Sequence, residues 1–292
     1  MLSVIRTAVL DFLLLLLSLV PFGNTRAADL EPPLLLEQRI PLTDVSGRID
    51  HMAVDLRRQR LFVAELGNGT IDIIDLTTGK VIHRIDGLRE PQGIAYVAKA
   101  DMLAVASAGD GSVRLFRGED FTPSGTIGLG NDADNVRADS QTGNLVVGYG
   151  RGGLAVIDPQ LRSVVSRTEL PAHPEGFQLD PTSRRAFVNL PDAHQLIVVD
   201  MMAGKQVANW RVPGLRGNFP MALDDQGMLI ATVFRSPARL VLLDYNSGIA
   251  KINLDTCGDA DDIFFDSRRH RIYVSCGEGF VDVLEQGSTG YH

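Results

Sequence analysis

The chain has 292 residues, of which 45% are hydrophobic and 22% are charged, so it carries enough apolar material for a globular core. Without Arg6, Asp11 and Arg26 of the leader segment described next, 26 basic residues stand against 35 acidic ones, a net charge of −9. A domain this acidic, with no basic stripe, repels phosphate backbones, so we expect no nucleic acid partner.

The first 27 residues have the pattern of a secretory signal peptide. Arg6 gives a positive start, residues 12–20 (FLLLLLSLV) are apolar, and Thr25 and Ala27 are small residues before a cleavage point that we place after Ala27. The apolar run is too short to span a bilayer, which takes about 20 residues. We therefore expect a periplasmic or secreted protein, with no membrane span after cleavage and residues 28–292 as one domain.

The remainder of the chain is a repeat. Short apolar runs end at regularly spaced marker residues: Asp55, Asp139, Asp180, Asp224 and Asp266, at intervals of 84, 41, 44 and 42 residues. The interval of 84 is two periods, and its hidden member is QGIAYV from Gln92. Each first run is followed by further runs, such as RLFVAEL, TIDIIDL and VIHRID, joined by turns of the DLTTGK type. Four short strands per repeat predict an all-β fold, a β-propeller of four-stranded blades with six visible repeats.

The units RLFVAEL…IIDLTTGK and RAFVNL…VVDMMAGK resemble the YVTN-type β-propeller repeat family. The resemblance implies an exported propeller, often with seven blades, and implies no particular activity. Two accounts of the ring remain open. Residues 37–42 (EQRIPL) could supply a fourth strand to the sixth blade, which otherwise ends with its third strand at residues 279–285. Alternatively, the chain is truncated at its C-terminus before a seventh blade and leaves an open gap, which is the account we favour.

In all six units, the first strand changes from polar to apolar residues at the same position of the repeat. Five residues before each marker position the repeat has Asp50, Gln92, Asp134, Glu175, Phe219 and Asp261, and one residue later it has His51, Gly93, Asn135, Gly176, Pro220 and Asp262. First strands line a propeller's central channel, so these residues converge on one mouth, which His173 and Asn218 would rim. We predict a ligand site made by His51, Gln92, Asp134, Asn135, Glu175, Asn218, Asp261 and Asp262. The alternative is that polar residues at a wet mouth are simply solvated.

The candidate metal ligands are Asp134, Glu175 and Asp261. Carboxylate and amide oxygens suit Ca²⁺, whereas His51 and His173 would suit a transition metal. The sequence contains no C-x-x-C-H, P-loop, H-E-x-x-H or G-x-S-x-G motif.

We expect a non-enzymatic binding or scaffold propeller that recognises a small molecule or a protein at the channel mouth. The alternative is a metal-dependent hydrolase or lactonase that uses the acidic residues of the mouth. A quinoprotein-type oxidoreductase ranks third, because the chain has one Trp and no haem motif.

The two cysteines, Cys257 and Cys276, both belong to the sixth unit. An antiparallel hairpin that turns near Arg268 brings them to the same end. Two cysteines in an exported protein are expected to form a disulfide. Two thiol ligands for a soft metal beside the acidic mouth are the alternative.

Overall fold

A computed structural model describes residues 32–180, 182–224, 228–288 and 290–292. The predicted signal peptide lies outside the described residues. The chain divides into two compact units, residues 1–37 and residues 38–292, and the described part of the first unit is exposed and contains no strand. No helix of the described ranges is long and apolar enough to cross a membrane.

The second unit is a six-bladed β-propeller, as the repeat predicts. Each blade is an antiparallel sheet of four strands that follow one another in the sequence. Blades 1 to 3 consist of β1 (Met52–Asp55), β2 (Arg60–Glu65), β3 (Thr70–Asp75), β4 (Lys80–Ile85); β5 (Pro91–Val97), β6 (Met102–Ser107), β7 (Ser112–Arg117), β8 (Pro123–Gly128); β9 (Ala133–Ala138), β10 (Leu145–Tyr149), β11 (Gly153–Asp158) and β12 (Ser163–Glu169). Blades 4 to 6 consist of β13 (Phe177–Asp180), β14 (Arg185–Leu190), β15 (Gln195–Asp200), β16 (Lys205–Trp210); β17 (Arg216–Asp224), β18 (Leu229–Ser236), β19 (Ala238–Asp244), β20 (Ala250–Asp255); β21 (Ala260–Asp266), β22 (Arg271–Cys276), β23 (Phe280–Gly287) and β24 (Gly290–Tyr291).

The marker aspartates recur because they cap the turn between the first and second strands. The Oδ1 atom of Asp139 accepts the backbone N–H of Gln141 at 2.9 Å, and that of Asp180 accepts the N–H of Thr182 at 2.8 Å. Burial alone would raise the pKa of both carboxyls, but hydrogen bonds from side chains (Thr142 to Asp139, Ser183 to Asp180) together with these backbone bonds outweigh it and lower the pKa. The repeated aspartate is therefore a structural signal and not part of a site.

Hydrophobic cores lie between the blades. Among the described residues there are five such clusters, and each joins one blade to the next along the chain. The cluster between blades 1 and 2, for example, packs Phe62 and Ile73 against Ile94 and Leu103. None of the five clusters in the described part of the chain joins blade 6 to blade 1.

The first and the last chain segments of the propeller differ from what the sequence predicts for the closure of the ring. The sixth blade has a fourth strand after all, but β24 has only two residues, which pair with Gln286 and Gly287. Residues 38–42 form no strand. The segment that contains them lies along blade 1, where the carbonyl oxygen of Thr43 accepts a hydrogen bond from Arg84 at 3.0 Å. The proposed completion of blade 6 by this segment is therefore not formed.

The Cys257 and Cys276 side chains are joined by a disulfide, with their Cα atoms 6.0 Å apart. The bond ties the residues before β21 to the end of β22. No free cysteine is present in the described residues, so these sulfurs are not thiol ligands in this structure. Closing a loop of this length is worth about 3 kcal/mol in the chain-entropy account of disulfides.

Two glycines beside the mouth are required by the close approach of neighbouring first strands. A Cβ on Gly93 would lie 2.0 Å from the carbonyl oxygen of Asp134, and one on Gly176 would lie 2.2 Å from that of Phe219. No side chain fits in that space, which explains why Gly93 and Gly176 stand where other first strands have polar residues.

We predict that Gly93→Ala destabilises the protein by 2 kcal/mol or more, on the order of the cost of a backbone clash in a packed interior. Gly128 lies in the same blade, and a Cβ there meets nothing within 4 Å. Gly128→Ala is the matched control and should leave the free energy of unfolding nearly unchanged. Urea unfolding of both variants measures the difference, and equal stabilities would refute the close approach.

Candidate functional site

The channel mouth contains one group of side chains that could hold a metal ion. Asp134 is the second residue of β9, the first strand of blade 3, and His173 and Glu175 lie in the segment between β12 and β13 that enters blade 4. One ligand atom from each of the three lies within 4.8 Å of the others. Asp134 is buried and the other two are half-buried, so the cluster faces the mouth rather than open solvent.

Both ring nitrogens of His173 have partners. Nδ1 lies 2.5 Å from the carbonyl oxygen of Gly150, and Nε2 lies 3.2 Å from Oδ2 of Asp134. Burial alone would lower the pKa of this ring, but the bonds to Asp134 and Gly150 outweigh it and raise the pKa of His173 to about 9. Without a metal, His173 is therefore a cation at neutral pH, bonded to Asp134.

The mouth concentrates carboxylates that are partly withdrawn from water. Burial, reinforced by the charge of Asp134, raises the pKa of Glu175 to about 7. Burial also raises the pKa of Asp50 to about 6; Arg48 opposes this shift, and the charges of Asp134 and Asp261 add to it. Such shifts are typical of sites that bind cations or move protons.

A cation, Arg137, lies in the channel with these acids. It belongs to β9, and its guanidinium is 5.8 Å from the centre of the Phe177 ring. Burial and the nearby charge of Arg137 lower the pKa of His51 to about 4, so His51 is neutral at physiological pH. Burial raises the pKa of Asp262, and Arg137 partly opposes that shift. His51 and Asp262 thus belong to the surroundings of Arg137.

Asp261 is engaged by a second arginine. Oδ1 of Asp261 accepts a hydrogen bond from Arg235 at 2.7 Å, and the same guanidinium lies 3.9 Å from the centre of the Phe219 ring. The side chain of Asp261 is largely exposed. The structure therefore places Asp261 outside the three-residue cluster, and Phe219 serves as the platform on which Arg235 lies.

The remaining predicted residues have different surroundings. Asn218 is buried between blades 4 and 5, where its Nδ2 donates to Oδ1 of Asn189 and to the carbonyl oxygen of Gln195, both at 2.8 Å. Asn135 is buried next to Asp134, and its Oδ1 has no hydrogen-bond partner. Gln92 is half-buried at the mouth end of β5.

Sequence reasoning missed Arg137 and Arg235. It named His173 as a rim residue that would suit a transition metal, but did not place it among the candidate metal ligands Asp134, Glu175 and Asp261. One signal for Arg137 was present in the sequence. Its position in the repeat is alanine in three other blades, at Ala53, Ala95 and Ala222, so a charged residue there stands out. The pairing of His173 with Asp134 depends on the path of the segment before β13, which carries no such signal.

Comparisons with known proteins show the fold and no more. No protein-family model matches this sequence, and no curated protein matches it. A chain of Kuenenia stuttgartiensis hydrazine synthase is similar in structure, with a TM-score of 0.75 and 16% sequence identity, over 86% of this chain and 80% of that one. At this identity the likeness supports the propeller alone, and the resemblance to YVTN-type repeats stays a prediction.

We predict that the metal-free protein loses stability as the pH rises from about 6.5 to about 9. The folded-state pKa of His173 is about 9, above the ordinary 6.5, so its contribution is complete below pH 6.5 and is lost as the pH passes 9. Thermal unfolding in EDTA should show a loss on the order of 2 kcal/mol over this range. His173→Gln should flatten the profile, while the exposed-turn control His194→Asn should not. Parallel profiles for His173→Gln and the parent protein would contradict the assignment.

Proposed function

We propose that this protein is a binding propeller that holds a divalent transition-metal ion at the channel mouth through Asp134, His173 and Glu175. The observation that carries the proposal is the convergence of their ligand atoms, all within 4.8 Å of one another. The propeller fold itself is consistent with a binding or scaffold role, because it presents residues from distant parts of the chain at one mouth.

The surroundings of His173 support its role as a ligand. A histidine that binds a metal with one ring nitrogen usually donates the other N–H to a carbonyl or carboxylate, which fixes the tautomer and the ring orientation. Nδ1 of His173 has such a partner in the carbonyl oxygen of Gly150. This bond leaves Nε2, the atom beside Asp134, for the metal.

The donor set favours a transition metal over Ca²⁺. One imidazole and two carboxylates resemble the three-ligand sets of zinc sites that keep a position open, whereas Ca²⁺ takes six to eight oxygen ligands. The carboxylate of Asp261 is committed to Arg235 and does not enlarge the oxygen set. An open coordination position would let the bound metal hold a small molecule or a side chain of a protein ligand.

We predict that the mature protein binds one Zn²⁺ per chain, measured by isothermal titration calorimetry after EDTA treatment and dialysis. Asp134→Asn, His173→Gln and Glu175→Gln should each weaken binding at least tenfold, since loss of a ligand removes a direct metal bond. Asp261→Asn is the matched control and should bind normally. Affinity should rise with pH up to about 9, because the metal must displace the proton of His173.

Two results would reject the metal site. The first is no Zn²⁺ uptake by the folded protein at pH 8. The second is equal binding by the three ligand variants and the Asp261→Asn control.

The second candidate function is a metal-dependent hydrolase, which the open coordination position and Asp50 favour. Burial raises the pKa of Asp50 to about 6 and the charge of Asp134 contributes, so Asp50 is mostly ionised near neutral pH and could accept a proton from a metal-bound water. If this function holds, the Zn²⁺-loaded protein will hydrolyse members of a panel of lactones and aryl esters. Asp50→Asn should then abolish turnover while Zn²⁺ binding persists. Metal binding without turnover of any panel member favours the binding role.

A further inference from the structure

The turns at the end of the propeller opposite to the mouth form one surface. In each blade the four strands are antiparallel and follow one another in the sequence. The turns between first and second strands and between third and fourth strands therefore lie at one end, and the loops that lead into first strands lie at the other, with the mouth. We call the turns between first and second strands and between third and fourth strands the turn face.

Hydrogen bonds between neighbouring blades hold the turn face together. They join Arg58 to Asp101, Lys99 to the carbonyl oxygen of Gln141, Arg184 to Asp139, and Tyr245 to Ser183, all at distances between 2.7 and 2.8 Å. Each bond links a turn of one blade to a turn of the next. The turns of blades 1 to 5 are therefore one continuous layer, and side chains that extend from them point away from the mouth.

Exposed apolar side chains are concentrated on the turn face. Its turns expose six large hydrophobic residues: Leu56, Leu76, Leu161, Met202, Met228 and Ile249. The loops that join strands at the mouth end expose none within the described ranges, and their residues Leu88, Leu129 and Leu170 are buried. Single exposed apolar residues are ordinary on a protein surface. Their restriction to the turns of one end makes them a feature of that end.

Four of these turns combine an exposed apolar residue with an exposed cation. The pairs are Leu56 with Arg57, Leu76 with Lys80, Leu161 with Arg162, and Met202 with Lys205. None of the four cations belongs to an ion pair within the described part of the chain. Their charges are therefore available to a partner.

The aspartates in these turns are occupied by the backbone. The Oδ1 atom of Asp158 accepts the backbone N–H groups of Gln160 and Leu161 at 2.8 and 2.9 Å. That of Asp200 accepts the N–H group of Met202 at 2.9 Å. Both carboxylates are half-buried, whereas the cations of the same turns are exposed. The outermost charges of these turns are therefore positive.

The two ends of the propeller differ in charge. The described turns of the turn face expose two acids, Glu119 and Asp120, and five cations: Arg57, Lys99, Arg162, Arg268 and Arg269. The described loops at the mouth end expose three cations (Arg89, Arg151 and Arg211) and five acids: Asp86, Glu90, Asp192, Asp259 and Glu278. The sequence contains no basic stripe because these cations belong to separate turns, which only the fold brings to one end.

We propose that the turn face is a membrane-docking surface, which binds a bilayer that contains anionic lipids and leaves the mouth facing away from it. The exposed apolar side chains enter the boundary between headgroups and acyl chains, and the cations beside them pair with lipid phosphates. The positive charge of the turns favours an anionic lipid surface. The apolar residues favour a bilayer over a nucleic acid, whose charged backbone offers Leu and Met side chains no apolar partner.

Vesicle flotation of the mature protein, residues 28–292, tests the surface. EDTA is present throughout, so the result does not depend on the proposed metal site. The protein should float with vesicles of phosphatidylcholine mixed with an equal amount of phosphatidylglycerol at low salt. It should bind far less to phosphatidylcholine alone, and high salt should weaken binding by screening the cations.

Paired variants separate the two contributions to binding. Arg57→Gln with Arg162→Gln should weaken binding about tenfold or more, because each cation near an anionic surface contributes about fivefold in affinity. Leu161→Ser with Met202→Ser should weaken it by a similar factor, because less apolar area enters the bilayer. All four side chains are exposed, so both variants should melt at the temperature of the parent protein.

Matched controls lie outside the turn face. Val165→Ser removes an exposed apolar side chain from β12, and Arg211→Gln removes an exposed cation from the mouth end. Both should bind like the parent. A polarity-sensitive fluorophore on Met202→Cys should shift to the blue when vesicles are added, and one on Asp192→Cys should not. The native cysteines are joined in a disulfide and do not take the label.

Three results would overturn the proposal. The first is no flotation with the phosphatidylglycerol vesicles at low salt. The second is equal binding by the paired variants and the two controls. The third is binding that the arginine pair weakens and the Leu161→Ser, Met202→Ser pair does not, with similar affinity for a DNA duplex, which would show a surface for anionic polymers instead of a bilayer.

Discussion

The structure depends on the packing of one blade face against the next. A four-stranded sheet with two apolar faces is not stable alone, so each blade relies on its neighbours, and five successive contacts build the propeller. The same packing brings first strands so close that Gly93 and Gly176 have no room for a side chain. Blade contact therefore fixes the channel wall as well as the core.

The chemistry of the mouth follows from that constraint. Tight first strands bring carboxylates of blades 1, 3, 4 and 6 together in partial isolation from water, where each raises the cost of ionising the others. The protein offsets part of this charge with its own cations: His173 beside Asp134, Arg137 in the channel, and Arg235 on Asp261. Of these, only the His173 imidazolium can give up its charge by releasing a proton at moderate pH, since its pKa is about 9 and a guanidinium stays protonated. For this reason, the cluster of Asp134, His173 and Glu175 is the place where a bound metal ion can replace a positive charge of the protein itself.

The repeat made the fold predictable and left the site only partly so. Marker aspartates, alternating runs and turn residues are local signals, and they gave the blades and the level at which Asp134 and Glu175 meet. Side-chain partners depend on contacts between blades that no single repeat contains. Asp261 therefore turned out to be bound to Arg235, and Asn218 to be buried against Asn189. The metal ion and the molecule that it binds remain proposals, because the sequence places the donor residues but does not identify what they bind.

The charges of the mouth connect blade 1 to the three-residue cluster. Asp50 lies two residues before β1, and the charges of Asp134 and Asp261 both contribute to the raised pKa of its carboxyl. A divalent cation bound by Asp134, His173 and Glu175 would offset the charge of Asp134, so it would favour the ionised form of Asp50. The proposed metal site would therefore set the charge of the mouth beyond its own ligands, on a residue that belongs to a different blade.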